Sequence, residues 1–409
     1  MRRKNIATLN ISENFISCAI CSLDDKNNIS VLALTEVPAK GVGGGVISDL
    51  SEAASSVSRA VEKAESIAHT KAISLVASCD GGGIKSYRAR GSITIAEKEK
   101  EIGPKDIERV TQAAKTIVLP FDREIIHSVI RGFILDGQEG IKDPAGMFAA
   151  RMEVDMEIVT GLISNLHNLR RAVNMAGFEV ERIALSGIAA ADAVLEEIER
   201  DLGVIFIYIC YSSTHIIVYN GGDVKSVDIL PVGSGELIEL ISMDYKIPPD
   251  RAEDFLKKQA TLEKSSIAED DKIMLSVNGI TRSISKTSVY ETIEPRIREF
   301  ILNLSRTLKD MPFSKEAAAG CVVGGELANL EGFLEMMEMS LNMPVKLGQA
   351  RRNSSGKSSV ENSGELVCLG LAKYWARQCA NDKTRRSILG NSPIGKLIGK
   401  ARDIFSDYF

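Results

Sequence analysis

The chain has 409 residues, enough to bury two or more hydrophobic cores, and its 44% hydrophobic and 26% charged residues are ordinary for a globular protein. Its formal net charge of −5 gives no electrostatic case for nucleic-acid binding. No window approaches the ~18 consecutive apolar residues of a transmembrane helix, and polar residues that follow the basic N-terminus exclude a secretory signal. We therefore expect a cytoplasmic protein in which any contact with membranes is peripheral.

The seven cysteines are odd in number and show no paired metal-ligand spacing. Cys18 and Cys21 form one Cys-x-x-Cys motif, but they lie in an alternating apolar run that is typical of a strand interior. Buried reduced thiols are therefore favoured over a zinc or redox site. No metal is expected beyond a Mg²⁺ ion that would accompany a nucleotide.

Two stretches about 200 residues apart, 6–40 and 203–235, show the same pattern of apolar strand, polar turn, strand, turn and strand. A repeated meander predicts a duplicated α/β fold. Apolar residues then recur with helical period from Leu50 to Ala68, and Asp49 stands where an N-cap is expected.

Strands and helices alternate along the rest of the chain, which favours an α/β fold with a mixed sheet. Further helices are predicted over 104–117, 162–176, 189–200, 248–260, 289–310 and 330–341. Further strands are predicted over 72–79, 126–135, 151–161, 180–186 and 320–323. Residues 346–364 are predicted to be a loop, and the polar, basic residues 376–392 a flexible linker.

The last residues, 393–409, predict an amphipathic helix, with Ser392 placed to cap it and Pro393 at its first position. Its apolar side is formed by Ile394, Leu397, Ile398, Ala401, Ile404, Phe405, Tyr408 and Phe409. Lys396, Lys400 and Arg402 lie on the polar side. A terminal helix of this kind after a polar segment favours binding to an anionic membrane surface. The alternative is a helix that packs on the protein's own core.

Several segments, taken in order, resemble the FtsA family of actin-like bacterial cell-division proteins. The segments are GVGGGVISDL (41–50), QEGIKDPAGM (138–147), GFEVERIALSGIAAA (177–191), ETIEPR (291–296) and GGELANLEGF (324–333). Each is weak alone, but the ordered set covers nearly the whole chain and is specific.

The resemblance implies an actin-like fold, the duplicated ribonuclease H-like α/β architecture, with a family-specific inserted subdomain. The implied parts are subdomain 1A (1–82 and 161–200), subdomain 1C (83–160), subdomain 2A (201–236 and 306–375), subdomain 2B (237–305), the linker (376–392) and the membrane helix (393–409).

The same resemblance implies a protein that polymerises and tethers filaments of the tubulin-like FtsZ to the cytoplasmic side of the cell membrane, at the division site. Other division proteins would bind subdomain 1C. Arg296, in the Glu-Pro-Arg segment, matches a contact with the acidic FtsZ tail, to which Arg298 would add. The alternative for Arg296 is an ion pair on the helix surface with Glu294 or Glu299.

The nucleotide loops depart from the family pattern. The first turn, which should resemble Asp-Ile-Gly-Thr-Ser, is Asn10-Ile11-Ser12-Glu13-Asn14. The second turn, which should resemble Asp-Ile-Gly-Gly-Gly-Thr, is Tyr208-Ile209-Cys210-Tyr211-Ser212-Ser213. Both therefore lack the aspartate and the glycines that admit phosphate and Mg²⁺.

The adenosine side is better kept, with Gly324 and Gly325 before Glu326, and Glu253 on the ribose-contacting helix, where Leu256 replaces a lysine and Lys257 follows. The residual nucleotide pocket would comprise Ser12, Ser212, Glu253, Gly324 and Gly325. We expect weak or lost ATP binding and no catalytic residue, with His215 near Ser213 in a structural role. The alternatives are ATP binding through backbone groups, a superfamily ATPase or kinase, and an actin-like pilus-assembly adaptor.

Overall fold

The computed structural model describes residues 4–24, 28–81, 83–95, 101–268, 270–277, 280–351, 359–360 and 363–390. The amphipathic helix predicted over 393–409 lies outside these residues, together with every membrane-binding side chain assigned to it. Within the described part of the chain, no helix is both long enough and apolar enough to cross a bilayer.

The strands of the described residues, in chain order, are β1 (Lys4–Ile11), β2 (Phe15–Leu23), β3 (Ile29–Pro38), β4 (Val42–Gly43), β5 (Val46–Ile47), β6 (Ser74–Cys79), β7 (Lys85–Thr94), β8 (Arg123–Leu135), β9 (Gln138–Ile141), β10 (Arg151–Leu162), β11 (Glu179–Leu185), β12 (Val204–Ile209), β13 (Thr214–Asn220), β14 (Asp223–Leu230), β15 (Lys272–Val277), β16 (Ile280–Ser285), β17 (Cys321–Gly325), β18 (Val345–Leu347), β19 (Ala350–Arg351) and β20 (Ser359–Val360).

The helices are α1 (Leu50–Ala68), α2 (Pro104–Val118), α3 (Ile163–Met175), α4 (Ser186–Val194), α5 (Glu197–Leu202), α6 (Gly235–Tyr245), α7 (Pro249–Gln259), α8 (Lys286–Asp310), α9 (Phe333–Leu341) and α10 (Ser363–Gly390).

Two five-stranded sheets share one topology. The strand order is β11-β6-β1-β2-β3 in the first sheet and β14-β13-β12-β17-β18 in the second. Each contains an antiparallel meander, β1–β2–β3 or β12–β13–β14, whose first strand pairs in parallel with a later strand, β6 or β17. Those strands pair in parallel with β11 and β18 in turn. The duplication predicted from residues 6–40 and 203–235 is therefore confirmed.

Strand β12 is buried on both faces, and it belongs to both of the large cores. Successive side chains of a strand point to opposite faces. In β12 the residues that join the core of the first sheet are Val204, Phe206 and Tyr208, and those that join the core of the second are Ile205, Ile207 and Ile209. A strand covered on both sides needs a continuous apolar run, which this segment has.

Helix α1 follows the first meander as predicted. Asp49 is its N-cap, and one carboxylate oxygen of Asp49 accepts a hydrogen bond from the backbone N–H of Glu52 at 2.9 Å. Its buried face includes Val57, Ala60 and Val61. The last residue of the predicted apolar face, Ile67, is 52% exposed instead.

A third sheet, in the order β7-β10-β8-β9, lies between β6 and α3 in the chain. Helix α2 packs on it so closely that a Cβ at Gly91 in β7 would be 2.4 Å from the backbone nitrogen of Ala114. The sheet and α2 form a separate hydrophobic core. An inserted unit with its own core fits the subdomain expected over 83–160.

Several elements differ from the sequence-based expectation, and among them β7, α6 and the β15–β16 hairpin were not predicted. The single helix predicted over 189–200 is two helices, α4 and α5, because the backbone of Leu195 is extended between them. The loop predicted over 346–364 includes the short strands β18, β19 and β20 in its described part.

The flexible linker predicted over 376–392 is wrong for residues 376–390, because α10 continues to Gly390. The guanidinium of Arg377, in the first turn of this segment, donates two hydrogen bonds, of 3.0 and 2.6 Å, to the buried carboxylate of Asp192. Just before the segment, the indole N–H of Trp375 donates to Glu181 at 2.7 Å. The start of the predicted linker is therefore anchored to the body of the protein.

Helix α10 crosses α4 at Gly370, where a Cβ would be 1.7 Å from the carbonyl oxygen of Ala189. Gly370→Ala should therefore force the helices apart and lower the free energy of unfolding by about 1–3 kcal/mol, as measured by urea denaturation. Gly132→Ala is the matched control, since the nearest atom to its Cβ would be 3.7 Å away. We expect the control to stay within about 0.5 kcal/mol of the unmodified protein. Equal stability of the two variants would contradict this close helix contact.

Candidate functional site

The cleft between the two large sheets is where the first turn, β1–β2, faces helix α7. Ser12 and Glu253 line one cavity there, of about 150 Å³. The other predicted pocket residues do not line it. The hydroxyl of Ser212 lies beside the backbones of Gly45 and Gly81, and Gly324 and Gly325 form the end of β17.

The backbone geometry at position 325 requires glycine whether or not a ligand is bound. Its φ is +102°, and a Cβ there would be 2.1 Å from the carbonyl oxygen of Ile209 in the neighbouring strand β12. A Cβ on Gly324 would meet the ring of Phe206 at 3.5 Å. Retention of Gly325 therefore does not by itself indicate nucleotide binding, whereas a Cβ on Gly324 would make only ordinary van der Waals contact.

The first turn is tied to both sides of the cleft by its own side chains. One carboxylate oxygen of Glu13 accepts a hydrogen bond of 2.8 Å from the backbone N–H of Gly45, in the β4–β5 turn. The side-chain amide of Asn14 donates a hydrogen bond of 2.8 Å to Glu253 on α7. The carboxylate of Glu13 thus accepts a hydrogen bond from a backbone N–H, which is the type of donor that binds phosphate oxygens in an intact phosphate-binding loop.

The second turn, β12–β13, is filled by its own side chains. Tyr208 is buried, and its hydroxyl donates a hydrogen bond of 3.0 Å to the carbonyl of Ser363 at the start of α10. The ring of Tyr211 lies against Gly235, where a Cβ would be 2.6 Å from it. The turn is closed by the backbone bond from Cys210 N–H to the carbonyl of Ser213. The space that glycines would leave for a ligand is therefore used for packing.

The charge of the cavity is strongly negative. Its carboxylates are those of Glu36, Asp250, Glu253, Asp254 and Glu326, and its one cation among the described lining residues is Lys257. Burial raises the pKa of Glu326, whose carboxylate accepts a hydrogen bond of 2.6 Å from the hydroxyl of Ser234. Lys257 forms an ion pair with Glu253. Such a cavity repels a polyphosphate, because like charges at short range in a low-dielectric site interact strongly.

Behind the second turn lies a buried polar cluster that the sequence reasoning missed. Asp80, Cys210 and His215 bring a carboxylate, a thiol and an imidazole within 4.8 Å of one another. This ligand set would suit Zn²⁺. The signal available in the sequence was an aspartate at the end of β6 that is followed by glycines, since the ends of parallel strands meet at one edge of a sheet.

The hydrogen bonds of the cluster argue against a metal. The backbone N–H of Gly187 donates to Nδ1 of His215 at 3.1 Å, so the ring proton is on Nε2, which cannot then bind an ion. Nε2 lies 3.3 Å from the hydroxyl of Ser213 and 3.9 Å from Asp80. The Cys210 thiol lies 3.7 Å from the same carboxyl group, and the Ser186 hydroxyl donates to it. His215 and Ser213 are both buried and serve this network.

Burial sets the protonation of the cluster. It raises the pKa of Asp80 to about 7, an effect that the hydrogen bond from Cys210 opposes. Burial also lowers the pKa of His215 to about 3. Between about pH 3 and pH 7 a protonated Asp80 lies beside a neutral His215, and the network that joins β6, α4, β12 and β13 is uncharged.

Arg296 and Arg298 are not brought together. Both lie on α8, where residues two positions apart point to different sides of a helix. Arg296 forms an ion pair of 3.5 Å with Glu299, the alternative stated above, and Arg298 donates a hydrogen bond of 2.8 Å from Nε to Glu294. Both side chains are more than 60% exposed.

Of the two arginines, Arg296 alone lines a groove of about 470 Å³ between α6 and α8. Apolar side chains in the groove include Leu240 and Phe300. Its carboxylates are those of Glu236, Glu239 and Glu299. An acidic peptide could therefore use the apolar wall and the one guanidinium, but the rim as a whole is negative.

The network around Asp80 predicts a pH dependence of stability. In the folded protein the Asp80 carboxyl keeps its proton up to about pH 7, whereas in the unfolded chain it loses the proton above about pH 4. The contribution of Asp80 to the free energy of unfolding therefore falls as the pH rises from about 4 to 7. His215 acts in the opposite sense below its ordinary pKa of 6.5, since its folded form stays neutral.

Asp80→Asn should remove the contribution of Asp80 to the pH dependence of stability and leave that of His215. The free energy of unfolding of the variant, relative to the unmodified protein, should rise by roughly 2 kcal/mol between pH 5 and pH 8, as measured by urea denaturation. Asp244→Asn, which changes an exposed carboxylate on α6, is the control and should show a constant difference. A flat difference for Asp80→Asn would mean that Asp80 is ionised in the folded protein at pH 5.

Comparisons with known proteins agree with this architecture. Residues 81–160, which include the third sheet, match a family model described as the SHS2 domain inserted in FtsA. The chain is 31% identical over 391 residues to the cell division protein FtsA of Borreliella burgdorferi, with 94% of each chain covered.

Solved structures show the same fold at low identity. The PilM-PilN type IV pilus biogenesis complex matches with a TM-score of 0.63 and 13% identity, covering 91% of this chain and 98% of that one. MreB5 of Spiroplasma citri bound to ADP matches with a TM-score of 0.51 and 13% identity, covering 95% and 99%. Two halves of like topology with an inserted SHS2 sheet define an actin-like protein with the mixed α/β fold expected from the sequence. The chain belongs to the FtsA family, and its function is in cell division.

Proposed function

We propose that the protein tethers FtsZ filaments to the cytoplasmic face of the cell membrane at the division site and helps to assemble the septum. The observation that carries this proposal is the 31% identity, over 94% of both chains, to a relative named cell division protein FtsA. The pilus-assembly alternative is less supported, since its likeness rests on the fold at 13% identity. The inserted sheet instead matches a model specific to FtsA.

The membrane contact is proposed for the apolar side of residues 393–409. The body of the protein supports this role because it ends in α10, which Arg377 and Trp375 fasten to the buried Asp192 and to Glu181. Six large apolar side chains on one helix would bind lipid only reversibly. Self-association into filaments would add avidity between several such helices.

The FtsZ tail is proposed to bind the groove between α6 and α8, with Arg296 as its cationic contact. The groove offers apolar surface from Leu240 and Phe300 next to that guanidinium. Arg298 contributes less than the sequence suggests, because it lies on another side of α8 and pairs with Glu294.

Subdomain 1C is proposed to receive other division proteins. Its surface exposes two aromatic side chains, Phe121 at 98% and Phe148 at 60%. Exposed aromatic residues are typical anchors of protein interfaces. They support a docking role for this inserted unit beyond its part in the fold.

One recruitment experiment tests both the tether and the FtsZ contact. The full chain should carry FtsZ to anionic liposomes in a flotation assay, and deletion of residues 392–409 should leave both proteins in solution. Arg296→Glu should keep the protein on liposomes but reduce the amount of FtsZ that floats, because it reverses the charge facing an acidic tail.

Lys309→Glu, which reverses an exposed charge near the end of α8 and outside the groove, is the matched control and should recruit FtsZ normally. Flotation of the truncated protein would contradict the tether. Equal FtsZ recruitment by the Arg296 and Lys309 variants would move the FtsZ contact away from the groove.

ATP binding is proposed to be weak or lost. Three features support this: Glu13 takes the N–H of Gly45, Tyr208 belongs to the core, and five carboxylates line the cleft against one lysine. Neither turn carries the aspartate that the family pattern provides for Mg²⁺. Mutual repulsion with a triphosphate is the dominant physical reason.

A titration with fluorescent ATP and Mg²⁺ should accordingly show no saturable binding at micromolar concentrations. The double variant Glu13→Gln, Glu326→Gln keeps both side-chain shapes and removes two negative charges, so it should bind the nucleotide at least about tenfold more tightly than the unmodified protein. Micromolar affinity in the unmodified protein would overturn the proposal.

A further inference from the structure

A groove of about 610 Å³ opens where three parts of the protein meet: strand β8 of the third sheet, the β13–β14 hairpin and helix α10. None of the residues assigned above to the nucleotide cleft, to the FtsZ contact or to the membrane helix lines it. Its volume lies in the range of about 300–1,000 Å³ that is typical of small-molecule sites.

The groove is positively charged in a protein whose net charge is −5. Four cationic side chains line it, those of Arg131, Lys142, Lys225 and Arg377, against the single carboxylate of Asp223. The imidazole of His127, which also lines the groove, is neutral, because burial lowers its pKa to about 4. The groove is therefore suited to an anion.

The four cations differ in how completely nearby carboxylates already neutralise their charge. Arg377 is fully paired with Asp192, and Arg131 lies 3.5 Å from Glu157. Lys142 has no acidic partner among the described residues. Lys225 donates one hydrogen bond, of 3.1 Å, to the carbonyl of Arg131, and its nearest carboxylate in the described structure is 3.9 Å away.

Both lysines line the groove at the junction of the subdomains. Nζ of Lys142, which follows β9, would be 2.9 Å from a Cβ placed on Gly221 in the β13–β14 turn. Burial lowers the pKa of Lys225; Asp223 opposes this shift, and the charges of Lys142 and Arg131 add to it. A bound anion would relieve the repulsion among these three cations.

We propose that this groove binds a phosphate-bearing anion, held chiefly by Lys142 and Lys225, at the junction between the SHS2 sheet and the second half of the protein. A phosphoryl group offers several strong acceptor oxygens and negative charge, which matches donors that converge from two different strands. Because the ligand touches β8, the hairpin and α10 together, its binding stabilises their mutual arrangement. The anion comes either from a free phosphorylated small molecule or from a phospholipid headgroup.

The test uses the full chain and inorganic tripolyphosphate as the soluble probe. Calorimetric titration at low ionic strength should give saturable binding at one site, and Lys142→Gln and Lys225→Gln should each weaken it about tenfold or more, since each removes a charge-assisted hydrogen bond. Lys63→Gln, which changes an exposed lysine on α1, is the matched control. Circular dichroism should show all three variants folded, and Lys142→Gln decides the outcome if Lys225→Gln proves unstable.

A second arm distinguishes the two sources of the anion. Saturable binding of tripolyphosphate identifies a site for free phosphorylated molecules. If tripolyphosphate does not bind but Lys142→Gln floats less with phosphatidylglycerol vesicles than Lys63→Gln does, the ligand is a lipid headgroup. Equal behaviour of the Lys142 and Lys63 variants in both arms would overturn the proposal.

Discussion

The rest of the structure depends on strand β12, which has no face toward solvent. Its alternate side chains enter two different cores, and its neighbours β13 and β17 also contribute to both, so the second sheet packs against both cores. This constraint reaches the functional cleft, because the end of β12 leads into the second turn. Tyr208, where the family pattern has an aspartate, is one of the core residues and also binds the start of α10 through its hydroxyl. A position that would face an ion has become part of the interior.

The sequence alone predicted the repeated meander and the capped helix α1, because both follow from local rules of alternation, helical period and capping. The family resemblance placed the inserted subdomain, and the third sheet lies where it was expected. Helix α10 was not predicted at all: no helix was assigned before residue 376, and the polarity of the residues after it looked like that of a linker. Only the fold reveals that Asp192, 185 residues earlier, is buried opposite Arg377. Long-range ion pairs of this kind leave no local signal.

In the candidate site, too, features contained in one segment could be predicted from the sequence, whereas features that combine distant segments could not. The altered turns were evident from residues 10–14 and 208–213, since missing glycines and aspartates can be recognised without a structure. The cluster of Asp80, Cys210 and His215 could not be assembled in that way, because its members come from separate strands. The tautomer of His215 depends on a backbone N–H donated by yet another element, α4. The negative charge of the cleft likewise appears only when its residues are brought together.

The hydrogen bond from Asn14 to Glu253 spans the cleft with the protein's own atoms. In an actin-like ATPase a hydrolysable ligand joins these halves, so the age of a subunit is recorded in its bound nucleotide. A molecule whose halves are joined by a side-chain hydrogen bond has no bound nucleotide whose state could record the age of a subunit. With ATP binding lost as proposed, assembly and turnover would be governed by local concentration at the membrane and by the partners that are present.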